Sequence, residues 1–185
     1  MSSSTPPSPT TGGLPDRRIV VMGASGCGKS TVGRALAERL GVPFADADDL
    51  HPAANVAKMA AGIPLDDEDR APWLRDVGRW LGAQPAGGVI ACSALRRSYR
   101  DLLRSEVPHT VFLHLDGDRA VLEERVAARP GHFMPATLVA SQLATLEPLE
   151  ADEAGTALDV RQTVEALVEN FLAALPPEQS SQEAR

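Results

Sequence analysis

The chain has 185 residues, 43% of them hydrophobic, which is enough for one well-buried core and short for two, so a single folded domain is expected. A formal net charge of −7 with no block of like basic residues argues against nucleic acid as a partner. Cys27 and Cys92 make neither a disulfide framework nor a metal-pair spacing, and suit a reducing compartment.

In chain order, residues 1–16 are rich in Ser, Thr, Pro and Gly and lack both a basic n-region and an apolar h-region. That composition predicts a disordered leader rather than a signal peptide. No stretch reaches the roughly 18 apolar residues that span a bilayer, so a cytoplasmic location and no membrane partner are expected. The folded domain is expected over 17–175, with a flexible polar tail at 176–185.

A strand at 18–22 runs directly into Gly23-Ala24-Ser25-Gly26-Cys27-Gly28-Lys29-Ser30-Thr31, a complete Walker A phosphate loop, and then into a helical pattern. The context supplies the mechanism, because a strand feeding a helix through a glycine loop aims consecutive backbone N–H groups at one anion. Lys29 is the expected ligand of the β- and γ-phosphates, Ser30 of Mg²⁺, and Thr31 supports the α-phosphate. The implied ligands are ATP and Mg²⁺.

Further strands are expected at 43–45, 88–92, 110–115 and 156–160, each followed by helix-like sequence. This alternation predicts an α/β, three-layer P-loop NTPase fold with a five-stranded parallel sheet and helices on both faces. Ligands of such sheets sit beyond the carboxyl ends of the strands. The polar residues of interest fall just there.

After the second strand, extended alternation sends Asp46 and Asp48 to one side. Asp46 is assigned to the metal and Asp48 to the proton of an attacking hydroxyl, whereas Asp49 fits a cap on the next helix. Helical pieces are expected at 51–61 and about 69–81. In the first, His51, Asn55, Lys58 and Gly62 make a polar stripe suited to a polyhydroxylated ligand, while Val56, Met59 and Ile63 mark an apolar face. Arg70 either clamps a substrate carboxylate or pairs with its acidic neighbours.

The third strand carries no Walker B acid, which strengthens the case for Asp46 as the metal carboxylate. Ser93 is the expected N-cap of the following helix. Arg96, Arg100 and Arg104 repeat every four residues and are expected to include solvated pairs, leaving Arg97, on another face, to reach the substrate. Arg125 and Arg129 end a helix that breaks at Pro130-Gly131-His132-Phe133-Met134-Pro135, the pattern of a lid that closes over the triphosphate and adds positive charge.

Together these segments resemble gluconate kinase (gluconokinase), within the shikimate kinase-like branch of P-loop kinases. The resemblance is carried by 23–31, by 46–74 with its His-Pro…Asn…Lys-Met…Gly…Pro-Leu…Asp-Arg…Pro-Trp-Leu spacing, and by 92–103, 128–134 and 141–147. It implies transfer of the ATP γ-phosphoryl group to the 6-hydroxyl of D-gluconate. It further implies that Asp48 orients and deprotonates that hydroxyl, that Arg70 and Arg97 meet the carboxylate end, and that Arg125 with the loop at 159–163 flanks adenine. A homodimer is a further implication. His132 and Gln142 match family positions without an assigned physical role. The competing expectation is another small-molecule P-loop kinase of shikimate or nucleotide type; a GTPase switch is disfavoured because neither Asn55 nor Asn170 is followed by lysine.

Overall fold

A computed structural model describes residues 16–130 and 136–175. The strands β1 (Arg18–Met22), β2 (Phe44–Asp46), β3 (Gly88–Ala91), β4 (Val111–Asp116) and β5 (Gly155–Asp159) form one parallel sheet in the order β2-β3-β1-β4-β5. Every expected strand is present, and no end moves by more than one residue. The shift in β2 matters, because it makes Asp46 the last residue of the strand.

β1 is central and is buried on both faces, which is why its sequence is continuously apolar rather than alternating. Ile19 and Val21 join one core, with α1 (Lys29–Leu40), α5 (Arg119–Ala127) and α7 (Val164–Ala174). Val20 and Met22 join the other, with α3 (Asp67–Gly82) and α4 (Arg97–Glu106). Period-two alternation thus divides one strand between two hydrophobic layers.

Local chemistry sets the helix ends. α1 stops at Gly41, whose left-handed φ of 68° lets its N–H reach the carbonyls of the last turn. Inside α1, a Cβ on Gly33 would come within 2.6 Å of the Phe44 ring, so this glycine sets how closely the helix packs on β2. α3 opens with a reciprocal capping box between Asp66 and Asp69, and therefore starts two residues before its expected beginning. α7 is capped by the Thr163 hydroxyl.

Three local expectations change. α2 covers Ala53–Ala60, so His51 precedes the helix, and the N-cap Pro52 has no side-chain cap, so Asp49 does not serve as one. α4 begins at Arg97 with Arg96 in the N-cap position, not Ser93; the Glu147 carboxylate accepts the Arg97 N–H at 2.5 Å in place of a local cap. Arg100 is fully buried rather than solvated: it forms a two-pronged pair with Glu153 and donates to the carbonyls of Ala94, Glu147 and Pro148. Arg104 adds a bond to the same carboxylate at 2.8 Å.

The expected leader and tail lie outside the described residues, apart from Asp16, as do His132 and the lid segment beyond Pro130. Among the described residues no helix is long and apolar enough to cross a membrane.

Candidate active site

The phosphate loop follows β1 at the carboxyl edge of the sheet. Gly23 and Gly26 take left-handed φ values of 143° and 85°, and a Cβ on either would press to 2.7 Å against a backbone carbonyl, of Leu115 or Leu122. Gly28 also has positive φ but faces open space, as a cradle for an anion requires. The Lys29 ammonium folds back over the loop, donating to the Ala24 carbonyl at 3.3 Å. Buried Cys27 lies beneath it; burial pushes its thiol pKa up, and that of Cys92 to about 12, so both stay protonated at neutral pH.

The two acidic residues after β2 divide between two tasks. Asp46 Oδ2 accepts the Ser30 hydroxyl at 2.5 Å, joining the end of β2 to the start of α1. Its Oδ1 accepts the Asp48 N–H at 3.1 Å and caps a short 3₁₀ turn, Ala47–Leu50. The turn, not strand alternation, therefore sets the aim of Asp48. A Ser hydroxyl beside a carboxylate is a hard-oxygen pair that fits Mg²⁺, which typically takes one or two carboxylates and completes its shell with water and phosphate oxygens. No cluster of three or more His, Cys, Asp or Glu suited to a metal occurs among the described residues.

Asp48 has a side chain 87% open to solvent, yet its carboxyl pKa is raised. Desolvation by the surrounding protein comes first and the nearby charge of Asp46 second, with Lys29 and His51 opposing them. Given the exposure, the Asp46 charge is the physically firmer cause. The pattern also shows that Asp48 feels the phosphate-loop lysine and the His51 ring together.

His51 stacks on Trp73 with ring centroids 4.1 Å apart, and Trp73 donates its indole N–H to the Ala47 carbonyl at 2.7 Å. Asn55 is buried; its Nδ2 donates to the Asp69 carbonyl at 3.0 Å and faces His51 Nδ1 at 3.4 Å. An amide nitrogen only donates, so Nδ1 is the acceptor and Nε2 carries the hydrogen, 3.9 Å from Asp48 Oδ1. Burial lowers the His51 pKa against the pull of Asp48, and the ring is neutral. Lys58 is held by both carboxylate oxygens of Asp69, at 2.6 and 2.7 Å.

The polar stripe expected to meet a polyhydroxylated ligand forms a strut: Asn55 and Lys58 tie α2 to α3 through Asp69, and His51 stands beside Asp48. Gly62 ends this segment with a positive φ of 71°. Val56, Met59 and Ile63, expected as the apolar face, are exposed.

Beside this strut, Leu65, Asp66, Asp67, Glu68, Arg70 and Arg96 line a cleft of about 500 Å³. Both guanidiniums sit over the Tyr99 ring, at 5.7 and 5.8 Å, and Tyr99 donates to Asp67 at 2.6 Å. Asp67 also pairs with Arg96 at 3.4 Å and with Arg70 at 4.0 Å, so Arg70 both lines the cleft and meets an acidic neighbour. Arg97 lies elsewhere: its guanidinium forks onto Asp152 at 2.9 Å and also meets Asp101 and Glu150. The arginine in the cleft is the adjacent Arg96. Glu150, Asp152 and Glu153 neutralise Arg97 and Arg100 from more than fifty residues along the chain, so periodicity alone could not tell Arg97 from Arg96.

On the other flank, Arg125 donates to the Val160 carbonyl at 2.7 Å, which brings it to the loop following β5. Arg129 is exposed two residues past the end of α5. Gln142, in α6 (Ala136–Thr145), accepts the Ser25 N–H at 2.6 Å, a contact that sequence reasoning did not anticipate.

A parallel sheet whose central strand enters a Walker A loop, with a Ser–Asp pair at its mouth, defines a P-loop nucleotide-binding protein, and its family matches make it a P-loop kinase acting on a small molecule. The shikimate kinase family model matches residues 25–175, and the chain belongs to that family. Within it, the chain is 52% identical to a gluconokinase of Gluconobacter oxydans over 144 residues, 76% of this chain and 81% of that protein. The crystal structure of a gluconokinase from Sinorhizobium meliloti 1021 superposes with a TM-score of 0.78 at 48% identity, covering 85% of this chain and 90% of that one. An unliganded sugar kinase from Janibacter sp. HTCC2649 gives 0.80 at 51% identity, covering 86% and 94%. The chain is a member of the gluconokinase family.

Proposed function

We propose that this enzyme transfers the γ-phosphoryl group of ATP to the 6-hydroxyl of D-gluconate, giving 6-phospho-D-gluconate. The observation that supports the reading most is geometric: the Ser30 hydroxyl of the phosphate loop bonds to Asp46 at 2.5 Å, and Asp46 in turn caps the 3₁₀ turn that carries Asp48. Backbone amides at the end of the loop and the start of α1 hold the phosphates, and Lys29 turns from the Ala24 carbonyl to the β- and γ-oxygens. Ser30 and Asp46 would hold Mg²⁺, which would supply positive charge to offset that of the phosphates.

Asp48, ionised before the step, accepts the proton of the attacking hydroxyl as that oxygen bonds to the γ-phosphorus and the bond to the departing ADP breaks. Arg70 and Arg96 take the substrate carboxylate, exchanging Asp67 for it; guanidinium–carboxylate bonds are worth more than neutral ones. Arg125 and the loop after β5 flank adenine, and Arg129 supplies positive charge to the transferring group. The enzyme is further proposed to work in the cytoplasm as a homodimer, without nucleic-acid partners. The net charge of −7 supports that last point.

Proton-coupled ³¹P NMR of the product tests the reading. A phosphomonoester on the terminal methylene gives a triplet, whereas a doublet places the phosphate on a secondary hydroxyl and refutes the proposed position.

A further inference from the structure

The amides of a phosphate loop are its anion-binding groups, yet the Ser25 N–H is engaged by a side chain 117 residues away, at 2.6 Å from Gln142 Oε1. Ser25 occupies the loop tip, between Gly23 and Gly26, both in left-handed conformations that give the tip little intrinsic stiffness. Its neighbours are tied as well: the Gly23 N–H bonds to the Ser93 carbonyl after β3, and the Cys27 N–H to Ala24 within the loop. The Ser25 amide is held from outside.

The glutamine itself is rigidly mounted. Val139, one turn earlier in α6, is completely buried in the core that contains Ala24, Cys27, Leu122 and Val126. Beyond the helix, the Glu147 N–H bonds to the Leu95 carbonyl at 2.8 Å, its carbonyl accepts from Arg100 at 3.0 Å, and its carboxylate holds the first N–H of α4. Packing on one side and three bonds on the other locate Gln142.

We propose that Gln142 is a positioning residue for phosphoryl transfer: it keeps the Ser25 amide through the reaction cycle and so fixes the loop tip against which the transferring phosphoryl group lies. This rests on the reading of 23–31 as an ATP site. On that reading the α- and β-phosphates fall to amides at the start of α1, which begins at Lys29, four residues past Ser25, and their binding would not depend on the glutamine. Loss of the acceptor therefore acts on kcat, because a displacement of about 1 Å in a reacting group costs on the order of 10²-fold in rate.

The test compares Gln142→Met, which keeps length but lacks an acceptor, with Gln142→Glu, which keeps the acceptor. The expected result for the Met variant is kcat lowered about 10- to 100-fold, with ADP affinity by calorimetry and Tm close to wild type. The Glu variant recovers kcat while its charge raises KM for ATP. In ¹H–¹⁵N spectra with ADP bound, the Ser25 amide is protected from exchange in the wild type and in the Gln142→Glu variant, and unprotected after Gln142→Met. Unchanged kcat in the Met variant, equal losses in both variants, or losses of ADP affinity and Tm that match the loss of kcat would overturn the proposal. So would a Ser25 amide indifferent to the substitution. Wild-type protein that binds ADP but turns over no gluconate would sink the substrate reading instead, and the amide measurement would still decide the role of Gln142.

Discussion

At the level of single residues, the reading turns on how one carboxylate is prepared. Asp48 sits on a 3₁₀ turn that Asp46 caps and Trp73 braces, and the neutral His51 ring presents Nε2–H toward it. Asp48→Asn is expected to lower kcat by about 10²- to 10⁴-fold, the usual worth of a positioned acid–base group, while ADP affinity is retained. Retained kcat would remove Asp48 from the chemistry. Since the carboxylate must be ionised to accept a proton and its pKa is raised, kcat/KM falls on the acid side through a value above the ordinary 3.8. A profile whose acid limb is unaltered in Asp48→Asn would assign that limb to another group. Arg96→Met is expected to raise KM for gluconate about 10-fold or more, from the loss of charged hydrogen bonds, and Arg97→Met to leave it nearly unchanged. The opposite order would restore Arg97 to the cleft. Sequence made the loop legible through its local spacing, whereas Ser30 and Asp46, 16 residues apart, came together only by assigning both to one metal. It could not separate Arg96 from Arg97, since the acids that claim Arg97 lie about fifty residues away in the chain.

At the level of elements, the central strands β1 and β3 were legible because double-sided burial demands unbroken apolar runs, as in Ile19 to Met22. The stretch after β2 was less so. Helical spacing of His51, Asn55 and Lys58 reads equally well as a wet face or a strut, and only the position of Asp69 decides for the strut. The Arg100–Glu153 pair is a second tie invisible to periodicity. Burial pushes the Glu153 carboxyl up, but bonds from Arg100, the Glu150 N–H and Arg104 outweigh it and hold the pKa at about 2. The folded value lies below the ordinary 4.5, so the pair's contribution is complete above about pH 4.5 and fades as pH falls toward 2. Glu153→Gln leaves the Arg100 charge buried without a counter-charge and is expected to cost about 3–5 kcal/mol in chemical denaturation. A loss under about 1 kcal/mol would show that neighbouring carbonyls alone satisfy the guanidinium.

Across the whole molecule, two hydrophobic layers hold one sheet, and the residues proposed for the reaction gather at its carboxyl edge: the loop from β1, Asp46 from β2, Arg96 after β3, and the Val160 carbonyl that holds Arg125 after β5. The cradle and the cleft come from different crossovers, so the chain brings phosphate and acceptor together through topology rather than sequence proximity. The most direct test is coupled ADP release with D-gluconate beside glucose, shikimate, glycerate and nucleoside monophosphates. The expected kcat/KM for gluconate exceeds that for glucose, which lacks the carboxylate, by about 10²-fold or more, from the loss of charge-assisted bonds to Arg70 and Arg96. Equal turnover of gluconate and glucose, or preference for shikimate or a nucleoside monophosphate, would contradict a site built for a sugar acid.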